Sequence, residues 1–424
     1  MNTLETLKDK LYIHELPSYA NKIFYGLGFM ALTSLLILIA TGVIMAFMGQ
    51  AWWLMSPWGI YARSVHLWAV QAFIAVLVLH IIVGFLTSGF KPPRQMVWVL
   101  GATLFCLTLI QTEFGYGLRG DFSSQFRATS GADFWNGSYL GQWLNPLNHL
   151  QSFALHVAII PMIIIGLFLL HYLLVHTYGI SKPYRADIAY KMVPADHTIM
   201  YVRGLALTAL ILALGFFFHS PYVPAVKIAD IAKSDPALVA STLQAEYDRT
   251  SDTATYLDSI DPYTYDTREV YVLAPYRLYA PAGTTTDPMA IIAALMPLTQ
   301  SGLYESMLGQ ENPPADDTYV LRFLSDMGVP EEKASTLNMA TEQWGMAKDE
   351  NGAILGTPPG SWWFMPLALI NSVFDLPNNP NGDRDAAEIL GAVMLVFILF
   401  PYIPYLNRLP ELLHLAPFIW KSRE

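Results

Sequence analysis

Four histidines carry the chemical signal in this sequence. His66 and His80 stand fourteen residues apart inside the apolar stretch that runs from Arg63 to about Phe85. At about 100° per residue, fourteen residues return to within about 40° of the start, with about 21 Å of rise. The two imidazoles therefore share a helix face but are too far apart to hold one metal ion. His156 and His171, fifteen apart in Leu150–His176, also fall near one face. Ionisable groups inside an apolar span are costly and mark function by default. Two helices that each present an upper and a lower imidazole suit two irons, each held by an axial pair: His66 with His156, and His80 with His171. The plain alternative is four unrelated histidines satisfied inside a bundle, and the repetition of the spacing argues against it. Gly28 and Gly42, and again Gly101 and Gly115, are also fourteen apart, on the two helices that flank the first histidine pair. Glycines at that spacing allow a flat macrocycle to approach closely, although small-residue helix packing uses the same pattern.

The elements that position these residues are membrane spans. The chain has 424 residues, 54% of them hydrophobic and 14% charged, with mean hydropathy +0.36. That composition excludes an ordinary soluble enzyme. Apolar runs over about 24–48, 65–85, 97–114, 150–175, 204–218 and 386–402 predict six spans in an all-α transmembrane helix bundle. Met1–Lys22 is polar and charged, so no cleavable signal peptide is expected. Cys106 is the single cysteine, which rules out disulfides, thiolate-held clusters and Cys-x-x-Cys-His haem attachment within this chain. Nothing in it points to nucleic acid.

Basic residues set the expected orientation. Lys8, Lys10 and Lys22 precede span one, and Lys91 and Arg94 lie between spans two and three. Lys182, Arg185, Lys191 and Arg203 lie between spans four and five, and Arg408, Lys421 and Arg423 follow span six. These loops and both termini belong on the cytoplasmic face, which puts His66 and His156 near the outer face. Between spans five and six lies an insertion, 221–357, with 20 Asp and Glu against 8 Lys and Arg. It is expected outside, as an ordered but irregular small domain with helical stretches in Ala315–Met346. Its acidity serves solvation, or attraction of a basic partner.

Several motifs together resemble the cytochrome b family of quinol-oxidising bc-type complexes, particularly its b6-like branch. They are Arg63-Ser-Val-His66 with His80; Thr87-Ser-Gly-Phe-Lys-Pro-Pro-Arg94; Trp98-Val-Leu-Gly101 through Gly115-Tyr116 to Asp121; and His156–His171 with Pro161 and Gly179-Ile-Ser-Lys-Pro183. Pro359-Gly-Ser-Trp-Trp-Phe-Met-Pro366 is similar to the family's Pro-Glu-Trp-Tyr-Phe-x-Pro segment beside the outer quinol site, and Ala386-Ala-Glu-Ile-Leu-Gly391 to its next helix. The expected organisation is a di-haem four-helix part (1–200), a fifth span (201–220), the acidic insertion (221–357) and a carboxy-terminal part like the b6 complex's second subunit (358–424). The family's last one or two helices are not expected in this chain.

The resemblance implies two haems b held by His66, His80, His156 and His171, and quinone or quinol as substrate. Arg63 would meet a haem propionate, with Gly28, Gly42, Gly101 and Gly115 against the haems. His176 would contact quinone at the inner site, with Asp196 and His197 nearby as proton relays, and Trp362 and Trp363 would wall the outer site, although an interfacial aromatic belt uses the same residues. The implied activity is electron transfer across a bacterial or archaeal cytoplasmic membrane between quinol and quinone sites, with proton translocation. The implied acceptor is cytochrome c or another carrier. Expected partners are a Rieske iron–sulfur protein, a c-type cytochrome or other redox subunits, the quinone pool and membrane lipid, in a dimeric multi-subunit complex.

The departures from the family pattern bear on the outer site. Ser361 stands where the family has a glutamate, Arg119-Gly120 where it has Pro-Trp, and Gly26 where b6 proteins carry a haem-linking cysteine. Leu67 and Val83 replace basic residues. Serine is too weak a base to take a proton near neutral pH, which leaves Glu113 or Asp121 as acceptor beside Ser361. Two rival readings remain: a di-haem, quinone-reactive membrane anchor of another periplasmic oxidoreductase, and a transporter or structural subunit.

Overall fold

Within a bilayer every backbone N–H and C=O must be satisfied inside the chain, which leaves a helix as the default for each long apolar run. The computed structural model describes residues 14–17, 26–181, 190–256, 265–279, 285–308, 317–337, 361–379 and 381–413. Lys8, Lys10, Lys22, Lys182, Arg185, Lys421 and Arg423 lie outside the described residues. Among the described residues six helices are long and apolar enough to cross a membrane. They are α1 (Leu27–Met48), α2 (Pro57–Leu86), α3 (Gln95–Gly117), α5 (His149–Tyr178), α6 (His197–Phe217) and α10 (Gly382–Leu399); α4 (Phe122–Gly137) follows α3.

Helix ends lie where the capping chemistry is, several residues beyond the apolar runs. The Ser56 hydroxyl caps α2 by accepting from Gly59 N, and Pro57 occupies its first turn. Tyr61, Arg63 and Ser64 lower the local hydropathy, yet nothing before Leu86 breaks the helix. Asp196 caps α6 by accepting from Ile199 N at 3.1 Å, so that span starts seven residues before Gly204. Asn148 caps α5 through Gln151 N. Within α5, Leu155–Ile159 forms a π turn immediately before Pro161, which has no N–H to give.

The chain falls into two compact units. The first comprises 1–111, 159–220 and 392–424. There α1 and α2 pack antiparallel around Leu27, Ala31, Phe73 and Val76. The α6 helix joins them closely, for a Cβ on Gly215 would lie 2.6 Å from Val65 Cγ2 and one on Gly204 2.6 Å from Phe29. Trp98 of α3 donates its indole N–H to Phe397 O of α10 at 2.9 Å. Several connections meet at one end of this unit. Glu15–Pro17 pairs with Met192–Pro194, Thr87 Oγ1 meets Ser181 Oγ at 2.9 Å, and Lys91 pairs with Glu411 at 2.8 Å. At the other end Arg63 donates to Ser220 O at 3.0 Å, and Trp68 to Phe218 O at 2.9 Å.

The second unit comprises 112–158 and 221–391, so the last turn of α3, the whole of α4 and the start of α5 group with the insertion. The described part of the insertion is built of helices, including α7 (Pro236–Asp248), α8 (Pro288–Ser301) and α9 (Thr318–Asp326). This corrects the expectation of an irregular domain. The Asp-Pro pairs that look like loop signals are helix starts: Asp235 and Asp287 are N-caps followed by Pro236 and Pro288. Two of its tyrosines, Tyr271 and Tyr304, are core, fully buried in one cluster with Leu243, Leu295 and Phe323. Ala128 and Ala132 of α4 belong to the same core, and Asp133 pairs with Arg322 at 2.6 Å.

Candidate functional site

Each candidate glycine faces one candidate histidine. A Cβ added to Gly28, Gly42, Gly101 and Gly115 would lie 3.7, 3.4, 3.1 and 2.4 Å from Cε1 of His80, His66, His171 and His156 respectively. The antiparallel run of α1 against α2, and of α3 against α5, produces this matching: equal fourteen-residue steps on both members keep glycine and histidine in register. The α5 pair is fifteen apart, and the π turn explains it. One π turn absorbs one extra residue, so His156 and His171 keep the facial relation that fourteen residues give His66 and His80. The result in the first unit is a two-level cradle on α1 and α2 and a further glycine–histidine contact at Gly101 and His171, and in the second unit the contact at Gly115 and His156.

Around His66 the hydrogen bonding selects a tautomer. Thr41 Oγ1 donates to Ile37 O at 2.7 Å and lies 2.9 Å from His66 Nδ1. With its hydroxyl proton committed, Thr41 accepts from Nδ1–H, which leaves the Nε2 lone pair of His66 available to a metal. No periodic signal in the sequence marks Thr41; its place directly before Gly42 is the one clue. His80 and His171 are electrostatic neighbours within the first unit, and Val97, one turn before Gly101, hydrogen-bonds His171 through its backbone. Arg63 is buried, and with Ser64, which accepts from Ser220 N at 2.8 Å, it clamps the exit of α6. Among the described residues no three or more of His, Cys, Asp and Glu converge; an iron already held by a porphyrin needs two.

A second cluster lies within the other unit. Glu113 Oε1 rests against Gly131, where a Cβ would lie 2.4 Å away, and the charge of Arg127 acts on Glu113. Arg127 Nη2 donates to Ser361 Oγ at 3.3 Å, and both groups are buried. Trp363 donates to Thr112 Oγ1 at 3.1 Å and sits beside Tyr116. Of the two expected wall residues, Trp363 is therefore buried against α3, and Trp362 is half-buried. Asp121 is fully buried but occupied: one oxygen caps α4 through Ser124 N at 3.0 Å, and the other takes Arg119 Nη2 at 2.7 Å. The structure thus brings Glu113 and Ser361 to Arg127, a residue that sequence reasoning passed over, and gives Asp121 a structural task. Pro359 and Gly360 of the Ser361 motif lie outside the described residues.

In the last turn of α5, within the first unit, His176 Nε2 is buried without a hydrogen-bond partner, beside the Tyr172 ring at 6.0 Å. Asp196 is committed to capping α6, and His197 opens that helix.

The family model described as "Cytochrome b(N-terminal)/b6/petB" matches residues 71–226. Cytochrome b6 of Synechococcus sp. (strain CC9902) is 30% identical over 206 residues, covering 42% of this chain and 92% of that protein. The chain belongs to the cytochrome b/b6 family. Cytochrome b6 of Heliobacterium modesticaldum is 30% identical over 196 residues, 40% of this chain and 90% of the relative. Cytochrome b6 of Synechocystis sp. (strain ATCC 27184 / PCC 6803 / Kazusa) is 29% identical over 202 residues, 42% of this chain and 90% of the relative. Among solved structures, a chain of a "Hyperthermophilic respiratory Complex III" aligns over 91% of each chain, with TM-score 0.40 and 16% identity. Membership implies a multi-pass, haem b-binding membrane protein.

Proposed function

We propose that the chain is the di-haem cytochrome b subunit of a bc-type quinol oxidoreductase complex, carrying electrons between quinol and quinone sites on opposite sides of a membrane with proton translocation. The observation that carries this reading is the one-to-one facing of Gly28, Gly42, Gly101 and Gly115 with His80, His66, His171 and His156. His66 with His156, and His80 with His171, would hold the irons; bound haem b supplies a one-electron carrier at each level. Thr41 orients His66 and keeps Nε2 as the ligand atom. At the outer site Ser361 hydrogen-bonds substrate, Trp363 and Tyr116 form the aromatic wall, and Glu113 takes the proton, since both oxygens of Asp121 are engaged. At the inner site the His176 imidazole donates to or accepts from a quinone oxygen. The insertion lies on the outer face, opposite the loops that hold Lys91 and Lys191.

The test is purification of the native complex with pyridine haemochrome analysis. Two haems b per chain are expected, reducible by quinol; fewer than two haems sinks the reading. Ser361 in place of the family glutamate favours one alternative, a di-haem quinone-reactive anchor of another periplasmic oxidoreductase. Co-purifying subunits separate the two. A Rieske iron–sulfur protein and a c-type cytochrome support the bc-type complex, and a different oxidoreductase supports the anchor.

A further inference from the structure

We propose that Arg127 is the anion-holding residue of the outer pocket, stabilising the mono-deprotonated quinol that remains when Glu113 takes a quinol proton. The proposal rests on the quinol reading of this site. Four observations carry it. A guanidinium stays charged in any protein environment, and this one is buried at 5% exposure. Its face of α4 is shared with Gly131, four residues on, and the missing Cβ at Gly131 is what seats the Glu113 carboxylate there. Its Nη2 donates to Ser361 Oγ, so the Ser361 hydroxyl proton remains to donate to a ligand oxygen. The second arginine over the same Tyr116 ring, Arg119, is neutralised by Asp121, which makes Arg127 and Glu113 the pair that substrate chemistry can rearrange.

The step balances without a further reactant. The quinol O–H bond breaks, a carboxyl O–H bond forms on Glu113, and the electron pair stays on the quinol oxygen. Before the step Arg127 faces a carboxylate; after it Arg127 faces the quinol monoanion, and the net charge of the pocket is unchanged. Without the arginine the same transfer would leave an unbalanced anion among buried groups, where lone charge is costly. A glutamate at position 361 would pair with Arg127 and compete for this role; serine does not. The cluster therefore presents two donors, Arg127 and Ser361, and one acceptor, Glu113, beside Tyr116 and Trp363, which suits an acidic hydroxylated ring.

The test uses the native complex in membranes with two probes, an alkyl hydroxynaphthoquinone, which is anionic near neutral pH, and its neutral methyl ether. Arg127→Gln is expected to weaken the hydroxy compound by about tenfold or more while changing the ether by less than about twofold, with Arg127→Lys recovering most of the difference. Quinol-dependent haem reduction should fall in the same order. In the unaltered protein, affinity for the hydroxy compound should rise as that compound ionises, a measurement that holds even if Arg127→Gln fails to assemble. Equal losses for both probes, or a pH-independent affinity in the unaltered protein, overturn the role of Arg127 and leave the quinol site standing. If the unaltered protein binds neither probe and quinol fails to reduce its haems, the quinol reading falls, and this proposal with it.

Discussion

Gly115 is the tightest of the four glycine positions. Its virtual Cβ falls 2.4 Å from His156 Cε1 and 3.1 Å from Nε2, whereas that of Gly28 lies 3.7 Å from His80 Cε1, an ordinary van der Waals contact. Alanine substitutions should therefore grade in effect. Gly28→Ala should keep two haems per chain, and Gly115→Ala should lose one, read by pyridine haemochrome and by the split between the two haem spectra. Equal tolerance at all four positions would show that the glycines serve helix packing alone. Thr41→Val tests the tautomer argument at the same scale. It removes the acceptor for His66 Nδ1–H while preserving shape, and a lost outer-shell partner costs roughly 10–100-fold in metal affinity. The haem bound by His66 should be lost first when that variant is washed or heated, with the His80 haem unaffected.

Among the elements, the π turn Leu155–Ile159 shows how one residue of irregularity serves the site. Deleting one residue from that turn, for example Ala158, should give a plain α-helix with the two histidines fourteen apart and their facial relation kept, so two haems per chain should remain by pyridine haemochrome; loss of one haem would show that the turn does more than absorb the extra residue. The insertion helices make a different prediction. Glu246 on α7 is fully buried. Ser251 Oγ donates to its carboxyl at 2.7 Å, and Asp326 at the end of α9 lies beside it. Burial first, and Asp326 second, push the Glu246 carboxyl up to about 9. A folded-state value raised above the unfolded one means that stabilisation is complete below the ordinary carboxylate range and is lost as pH climbs towards about 9. Limited proteolysis of the insertion in the intact complex should therefore accelerate between about pH 5 and about pH 9. Glu246→Gln should flatten that dependence; an unchanged slope would exclude Glu246 as its source.

For the whole molecule, the prediction concerns sidedness. Strand pairing of Glu15–Pro17 with Met192–Pro194, the Thr87–Ser181 contact and the Lys91–Glu411 pair gather the same-side connections at one end of the first unit. An even number of spans puts these connections on one side, and by the positive-inside rule that side is expected to be the cytoplasmic one. The insertion, on the connection between spans five and six, should then be cleaved by protease added to intact spheroplasts. Cleavage confined to inside-out vesicles would reverse the orientation. With its 20 acidic against 8 basic residues, the insertion would present a negative surface there, and low salt should favour docking of a basic redox partner.

By itself the sequence determined the six spans, the four histidines and the glycines that face them. All of these are periodic along single helices, and period is a local property that a lone sequence displays. The family followed from the same local motifs. Helix ends were less legible, because α2 and α6 start at polar caps, Ser56 and Asp196, outside the apolar run. Only the tertiary structure decided the rest. Arg127 stands among polar and small residues with no pattern around it; it becomes part of a site because α4 folds its face towards Glu113 and Ser361, the latter 234 residues away. Asp121 looked like a proton acceptor from its place after span three, and the three-dimensional partners Ser124 and Arg119 occupy both of its oxygens. Tyr271 and Tyr304 became core through long-range packing, which composition cannot reveal. Spacing along one helix is written in the chain, whereas which side chain meets which across distant segments is settled when those segments pack.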